Sequence, residues 1–273
     1  MSWLAIRVRP AASPDAALAA LFEMGSEGVH EAGTELVTHF PGDRDADAIV
    51  AAVRTADPGA DVSASLIPVV DWAEEWKKGV GAHELGVLAI VPPWLAEGRD
   101  PSRTVVIEPE MAFGTGEHQT TRGVVRLLPT VIRPGDRVAD LGAGSAVLAI
   151  AAAKLGAAHV TAIELDHDAI ANAEENVARN GVADRVTVIE GDAELLLPLV
   201  APVRVVLANI ISSVLTGMLP AIAAALTADG EAVLSGILVE ERAAMLAVLE
   251  GTGWTLLTED VEGMWWSARI ARR

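Results

Sequence analysis

The stretch ADLGAGSAVLAIAA, Ala139 to Ala152, decides the fold. A short apolar run ends at Leu141, Gly142-Ala143-Gly144 follows, and an alanine-rich helical pattern begins at once. Strand, tight glycine turn, helix is the opening unit of a doubly wound α/β domain. Outward from it, HVTAIEL (159–165), VTVIEG (186–191), VRVVLANI (203–210) and EAVLSGIL (231–238) are short, β-branched and nearly unbroken in apolar residues. Strands covered on both faces of a parallel sheet read this way. Helical segments alternate with them: AVLAIAAAKLG (146–156), DHDAIANAEENVARNG (166–181) and ISSVLTGMLPAIAAAL (211–226), the last interrupted by Pro220. Gly156 and Gly181 suit helix C-caps, and Asp168 is expected to cap the second helix at its N-terminus. The tail, 253–273, reads as two strands turning at Gly263.

Ahead of this domain, residues 1–70 read as strand, helix, strand, strand, helix, strand, with Ser13 capping the first helix before Pro14 and Pro58-Gly59 ending the second. That order is the ferredoxin-like split βαβ pattern. DWAEEWKKG (71–79) reads as a charged helical connector with Trp72 and Trp76 on one face. Extended segments, 80–95 and 104–109, complete a 71–100 linker and lead into a 101–273 catalytic domain.

Composition narrows the function. The 273 residues carry a net charge of −18 and no cysteine or tyrosine, so phenol, thiolate and disulfide chemistry are excluded. Nucleic-acid binding relies on Lys and Arg at phosphates, which this acidic chain disfavours; a basic protein or cationic ligand is the better electrostatic match. Apolar runs stop well short of the roughly 20 residues of a membrane span, and MSWLAIRVRP has no apolar core of signal-peptide length. We expect a soluble, cytoplasmic protein. The six histidines are scattered, with no metal-ligand spacing.

The glycine loop admits two cofactor classes. A dinucleotide fingerprint needs G-x-G-x-x-G, and Val147 occupies its last position. Asp140-Leu141-Gly142-Ala143-Gly144 instead fits D-x-G-x-G, the loop expected for S-adenosylmethionine, with Asp140 holding the ammonium directly or through water. Glu164 ends the next strand, 22 residues after Gly142, where an acid accepts both ribose hydroxyls. Asp192 is a candidate acceptor for the adenine amine or a solvated turn residue. Asn209 ends the fourth strand, either as an acceptor for an incoming amine or as a helix cap. A nicotinamide-dependent oxidoreductase is the rival reading, which the broken fingerprint opposes.

A second loop, AFGTGEHQTT (112–121), precedes this one. With EPE (108–110), the D-x-G-x-G segment, AIELDHDAIANAEENVARNGV and LANI, it makes the chain similar to the ribosomal protein L-eleven methyltransferases over nearly its whole length. The resemblance implies a class I methyltransferase fold, a mostly parallel sheet with its last strand antiparallel, behind a small N-terminal α+β domain. It implies methyl transfer to lysine and N-terminal amines of a large-subunit ribosomal protein, free or on the ribosome, by a monomer that uses S-adenosylmethionine. It places Phe113 and Thr115 near the cofactor, Thr121, Gly142 and Gly144 in contact with it, Glu164 at the ribose and Asn209 by the methyl group. Glu164 stands where the family usually has Asp, Ala146 where it has a third glycine, and Glu110 where it often has glycine. His118 is expected to hold its loop by hydrogen bonds.

Overall fold

The computed structural model describes residues 2–67, 76–109 and 113–273. Trp72, most of the 71–79 connector and Glu110 lie outside the described residues; Trp76–Gly79 is a 3-10 turn. The chain divides into two compact units, Met1–Gly79 and Val80–Arg273.

In the first unit, strands β1 (Trp3–Arg9), β2 (Val29–Ala32), β3 (Glu35–Pro41) and β4 (Asp61–Ile67) form one antiparallel sheet in the order β2-β3-β1-β4. Helices α1 (Pro14–Glu23) and α2 (Ala46–Ala56) complete a βαββαβ, ferredoxin-like unit. Alternate residues of β1, namely Leu4, Ile6 and Val8, bury against Leu21 of α1 and Ile49 and Val53 of α2. Ser13 caps α1 by accepting the Ala16 N–H, with Pro14 at the first helical position, where its missing N–H costs nothing.

The second unit opens with a small sheet of β5 (His83–Leu85), β6 (Leu88–Val91) and β7 (Thr104–Val106). The main sheet follows: β8 (Arg137–Leu141), β9 (His159–Glu164), β10 (Val186–Glu190), β11 (Val203–Asn209), β12 (Leu226–Leu238), β13 (Trp254–Glu262) and β14 (Trp265–Arg272). Its order is β10-β9-β8-β11-β12-β14-β13. Only β14 runs against the rest, pairing antiparallel with both β12 and β13. Side chains alternate between two faces, which sorts the apolar runs into two cores. Val138, Val205 and Leu207 enter one core; Ala139, Leu141, Val206 and Ala208 enter the other. Helices α3 (Gln119–Val131), α4 (Val147–Lys154) and α5 (His167–Arg179) cover the first face, and α6 (Ala193–Val200), α7 (Ser212–Ala225) and α8 (Arg242–Gly251) the second. The strand order reverses between β8 and β11, so the switch-point crevice lies at the carboxyl ends of β8, β9 and β11.

Two local expectations change. Asp166, not Asp168, caps α5, accepting the Asp168 N–H at 3.0 Å, because the helix begins one turn earlier than its apolar pattern. Pro220 does not break α7, which runs from Ser212 to Ala225. Helix α3 is absent from the sequence reading altogether, as are α6 and α8.

Candidate active site

Three strand ends and one loop meet at the switch point. Beyond β8, Gly142 and Gly144 take positive φ of 67° and 52°, and the N–H groups of Gly142 and Ala143 donate to the Ile163 carbonyl of β9. The close approach that Gly144 permits is to protein: a Cβ there would overlap the Phe113 carbonyl, and one on Gly142 would lie 2.7 Å from Ile210. The two glycine loops therefore touch each other. Ser145 seals the contact, its N–H donating to the Phe113 carbonyl at 2.9 Å and its hydroxyl to the Gly114 carbonyl at 2.9 Å.

Between these loops and β11 opens a cavity of about 490 Å³. Phe113, Gly142, Gly144, Glu164 and Asn209 line it, so five of the residues singled out in the sequence come together. Glu164 folds back on the glycine loop: Oε2 accepts the Gly144 N–H at 2.7 Å and Oε1 the Asp166 N–H at 2.8 Å. Each oxygen keeps a lone pair for a further donor. Asn209 Nδ2 lies 3.4 Å from Thr121 Oγ1, which fixes the amide, while its Oδ1 is buried with no hydrogen-bond partner.

The other four singled-out residues do not line the cavity. Thr121 is fully buried and reaches the cavity only through Asn209. Thr115 Oγ1 accepts the Glu117 N–H at 3.4 Å. Asp192 caps α6 through the Glu194 N–H at 2.8 Å and does not line the cavity. Asp140 is fully buried beneath the loop; Oδ2 accepts the Ala149 N–H at 2.9 Å, and Oδ1 has no partner. Burial, reinforced by the Glu164 charge and opposed by the Ala149 N–H, pushes its pKa up to about 7.

Sequence reasoning missed part of the wall: Thr120, Ile210, Ile211, Val214, Gly236 and Trp265 also line the cavity. Trp265 starts β14, more than 140 residues from the loop it packs against, and no local pattern announces it. Its ring centroid lies 5.0 Å from that of His118, which lies 5.1 Å from Phe113. His118 is the N-cap of α3: its Nδ1 accepts the Thr120 N–H at 3.3 Å and lies 2.7 Å from the Thr120 hydroxyl. Burial and the nearby Arg122 guanidinium hold its pKa below the ordinary histidine value. Among the described residues no group of His, Asp or Glu side chains is placed to hold a metal ion.

The strand order with its single reversed strand, the glycine loop after β8 and the acid ending β9 define a class I, Rossmann-like methyltransferase. A family model described as "Ribosomal protein L11 methyltransferase (PrmA)" matches residues 11–273. The chain is 40% identical over 210 residues to a ribosomal protein L11 methyltransferase of Pelotomaculum thermopropionicum, covering 76% of this chain and 68% of that protein. With the Thermus thermophilus protein of the same name it shares 34% identity over 252 residues, 92% of each chain. The crystal structure of a ribosomal protein L11 methylase from Lactobacillus delbrueckii subsp. bulgaricus aligns with a TM-score of 0.62 at 31% identity, covering 70% of this chain and 98% of that one. The chain belongs to the ribosomal protein L11 methyltransferase family.

Proposed function

We propose that this enzyme transfers methyl groups from S-adenosylmethionine to lysine and N-terminal amines of the large-subunit ribosomal protein named by its relatives. The observation that carries the proposal is Asn209: an amide pinned at one end by Thr121, with a buried, unpartnered carbonyl oxygen beside a cavity large enough for a nucleoside-sized ligand. An unsatisfied acceptor in such a place is poised for a donor the ligands bring.

The residues present fit S-adenosylmethionine. The unfilled lone pairs of Glu164 suit two ribose hydroxyls, and Asp140 Oδ1 is a second buried acceptor without a partner. When bound, the cofactor supplies a methyl group already activated on sulfur, which leaves the protein to position and desolvate. Asn209 Oδ1 accepts an N–H of the incoming amine and aims its lone pair inward. Phe113, Ile211 and Val214 give the mouth an apolar lining that excludes water from the neutral amine. Among the described residues Glu164 is the one carboxylate on the cavity wall, and it is engaged by two backbone N–H groups. The amine therefore enters already neutral. For a lysine of pKa about 10.4 that costs roughly 4 kcal/mol near pH 7.4, and for an α-amino group well under 1 kcal/mol.

The Met1–Gly79 unit recognises the protein substrate, and the Val80–Arg273 unit carries the chemistry. The enzyme acts in the cytoplasm as a monomer without binding nucleic acid; among the described residues no helix is long and apolar enough to cross a membrane. Intact mass of the ribosomal protein after incubation with enzyme and S-adenosylmethionine tests the proposal. Steps of one methyl group are expected, absent without the cofactor. Asn209→Ala should lower kcat about 10²-fold or more while binding the cofactor nearly as well as the parent. Normal turnover by this variant would remove Asn209 from the mechanism.

A further inference from the structure

Arg122 sits on the first turn of α3, its side chain 14% exposed, and does not itself line the cavity; its bonds go to the segments just before two residues that do, His118 and Trp265. Its Nε donates to Glu262 Oε1 of β13 at 2.9 Å, and Nη2 reaches the same oxygen. Its Nη1 donates to the carbonyls of Gly116 and Glu117, the residues directly before His118. Glu262 lies three residues before Trp265, across the Gly263 turn. One guanidinium thus joins the end of the AFGTGEHQTT loop to the C-terminal hairpin, beside the point where the His118 and Trp265 rings meet 5.0 Å apart.

We propose that Arg122 is a positioning residue that sets the spacing of the His118 and Trp265 walls and thereby the affinity of the cavity for its cofactor. The proposal rests on the S-adenosylmethionine reading above. The planar fork is needed because its donors diverge toward the hairpin carboxylate on one side and the loop carbonyls on the other; a lysine offers a single point charge. Arg126, one turn along the same helix, supplies an internal comparison. It pairs with Asp260 at 2.9 Å and with Glu262 Oε2 at 2.8 Å, on the same hairpin, and has no bond to the loop carbonyls. A merely structural rivet and a positioning clamp are therefore separable within one helix.

The experiment compares Arg122→Gln, Arg122→Lys and Arg126→Gln in the full chain. Its readouts are the Kd for S-adenosylmethionine by calorimetry, KM and kcat for methylation, and amide hydrogen exchange over residues 114–118 without ligand. Arg122→Gln should weaken cofactor binding roughly tenfold, the weight of a charge-assisted bond lost behind the His118 and Trp265 walls. KM for the cofactor should rise in step while kcat stays within about twofold, as for a residue absent from the reacting centre. Exchange over 114–118 should accelerate. Arg122→Lys should fall with Arg122→Gln, and Arg126→Gln should lower Tm while leaving Kd and loop exchange at parent values. Parent-like binding in Arg122→Gln, or equal weakening in Arg126→Gln, overturns the proposal. If the parent protein itself binds no S-adenosylmethionine, the proposed function falls, and unchanged loop exchange in Arg122→Gln would overturn the clamp independently.

Discussion

At Asp140 the carboxyl group is cut off from water and shares its site with one donor, the Ala149 N–H, while Glu164 adds a second negative charge nearby. Burial prevails over the single hydrogen bond, so the folded-state pKa rises to about 7. The unfolded value is near 3.9. Between these values the folded chain holds a proton that the unfolded chain releases, so stability falls as pH rises through that interval. Asp140→Asn keeps an acceptor for the Ala149 N–H and removes the titration. Its stability relative to the parent should therefore increase steadily from pH 4 to pH 7 in ligand-free thermal unfolding. A constant difference between the two proteins across that range would show that Asp140 titrates at its ordinary value. His118 acts with the opposite sign: its depressed pKa makes the folded state resist a proton, so its contribution weakens as pH drops below about 6.5.

The loop joining β8 to α4 shows how unequal neighbouring small residues are. Ala146 is fully buried at φ 62°, where the family's third glycine would stand. Left-handed alanine costs roughly 1–2 kcal/mol, but glycine would lose about 0.8 kcal/mol of methyl burial and another 0.5–1 kcal/mol of backbone entropy. These nearly cancel, so Ala146→Gly should unfold within about 1 kcal/mol of the parent. Gly144→Ala has no such offset: φ is 52° and the added methyl meets the Phe113 carbonyl. It should cost about 2 kcal/mol or more and loosen the cavity wall, seen in denaturant unfolding and in cofactor affinity. Equal stability of the two variants would mean that the loops are not in contact. The same elements show what a sequence can carry. Strands β8 to β12 were legible because burial on both faces demands unbroken apolar runs, and their ends were marked by Gly142, Glu164 and Asn209. Helix α3 was not, because TTRGVVRLLPTV is rich in β-branched residues, contains Gly123 and Pro129, and begins at a histidine rather than a common cap. Its apolar stripe, Val124, Val125, Leu128 and Val131, does recur at helical spacing, but these breakers and the missing cap masked it. Asp140, Asp192 and Thr115 had the right chemistry and position along the chain, but which carboxylates face a cavity is decided by packing across elements. Trp265 entered the wall by the same non-local route.

At the scale of the molecule, charge is the property that the site alone does not express. The chain carries −18, and its proposed substrate presents cationic amines. Opposite net charges steer encounter over distances longer than any contact, and salt screens that attraction within about 8 Å at physiological ionic strength. The cavity works at shorter range, on groups that already touch. The two steps should therefore separate with salt. Between 50 and 500 mM added salt, kcat/KM for the ribosomal protein should fall roughly tenfold, carried by KM, while the Kd for S-adenosylmethionine changes less than about twofold. A short lysine peptide, with few charges to be steered, should show a much flatter dependence. If the intact protein substrate is equally insensitive, the acidity of this chain serves solubility, and the recognition proposed for the Met1–Gly79 unit must rest on uncharged contacts.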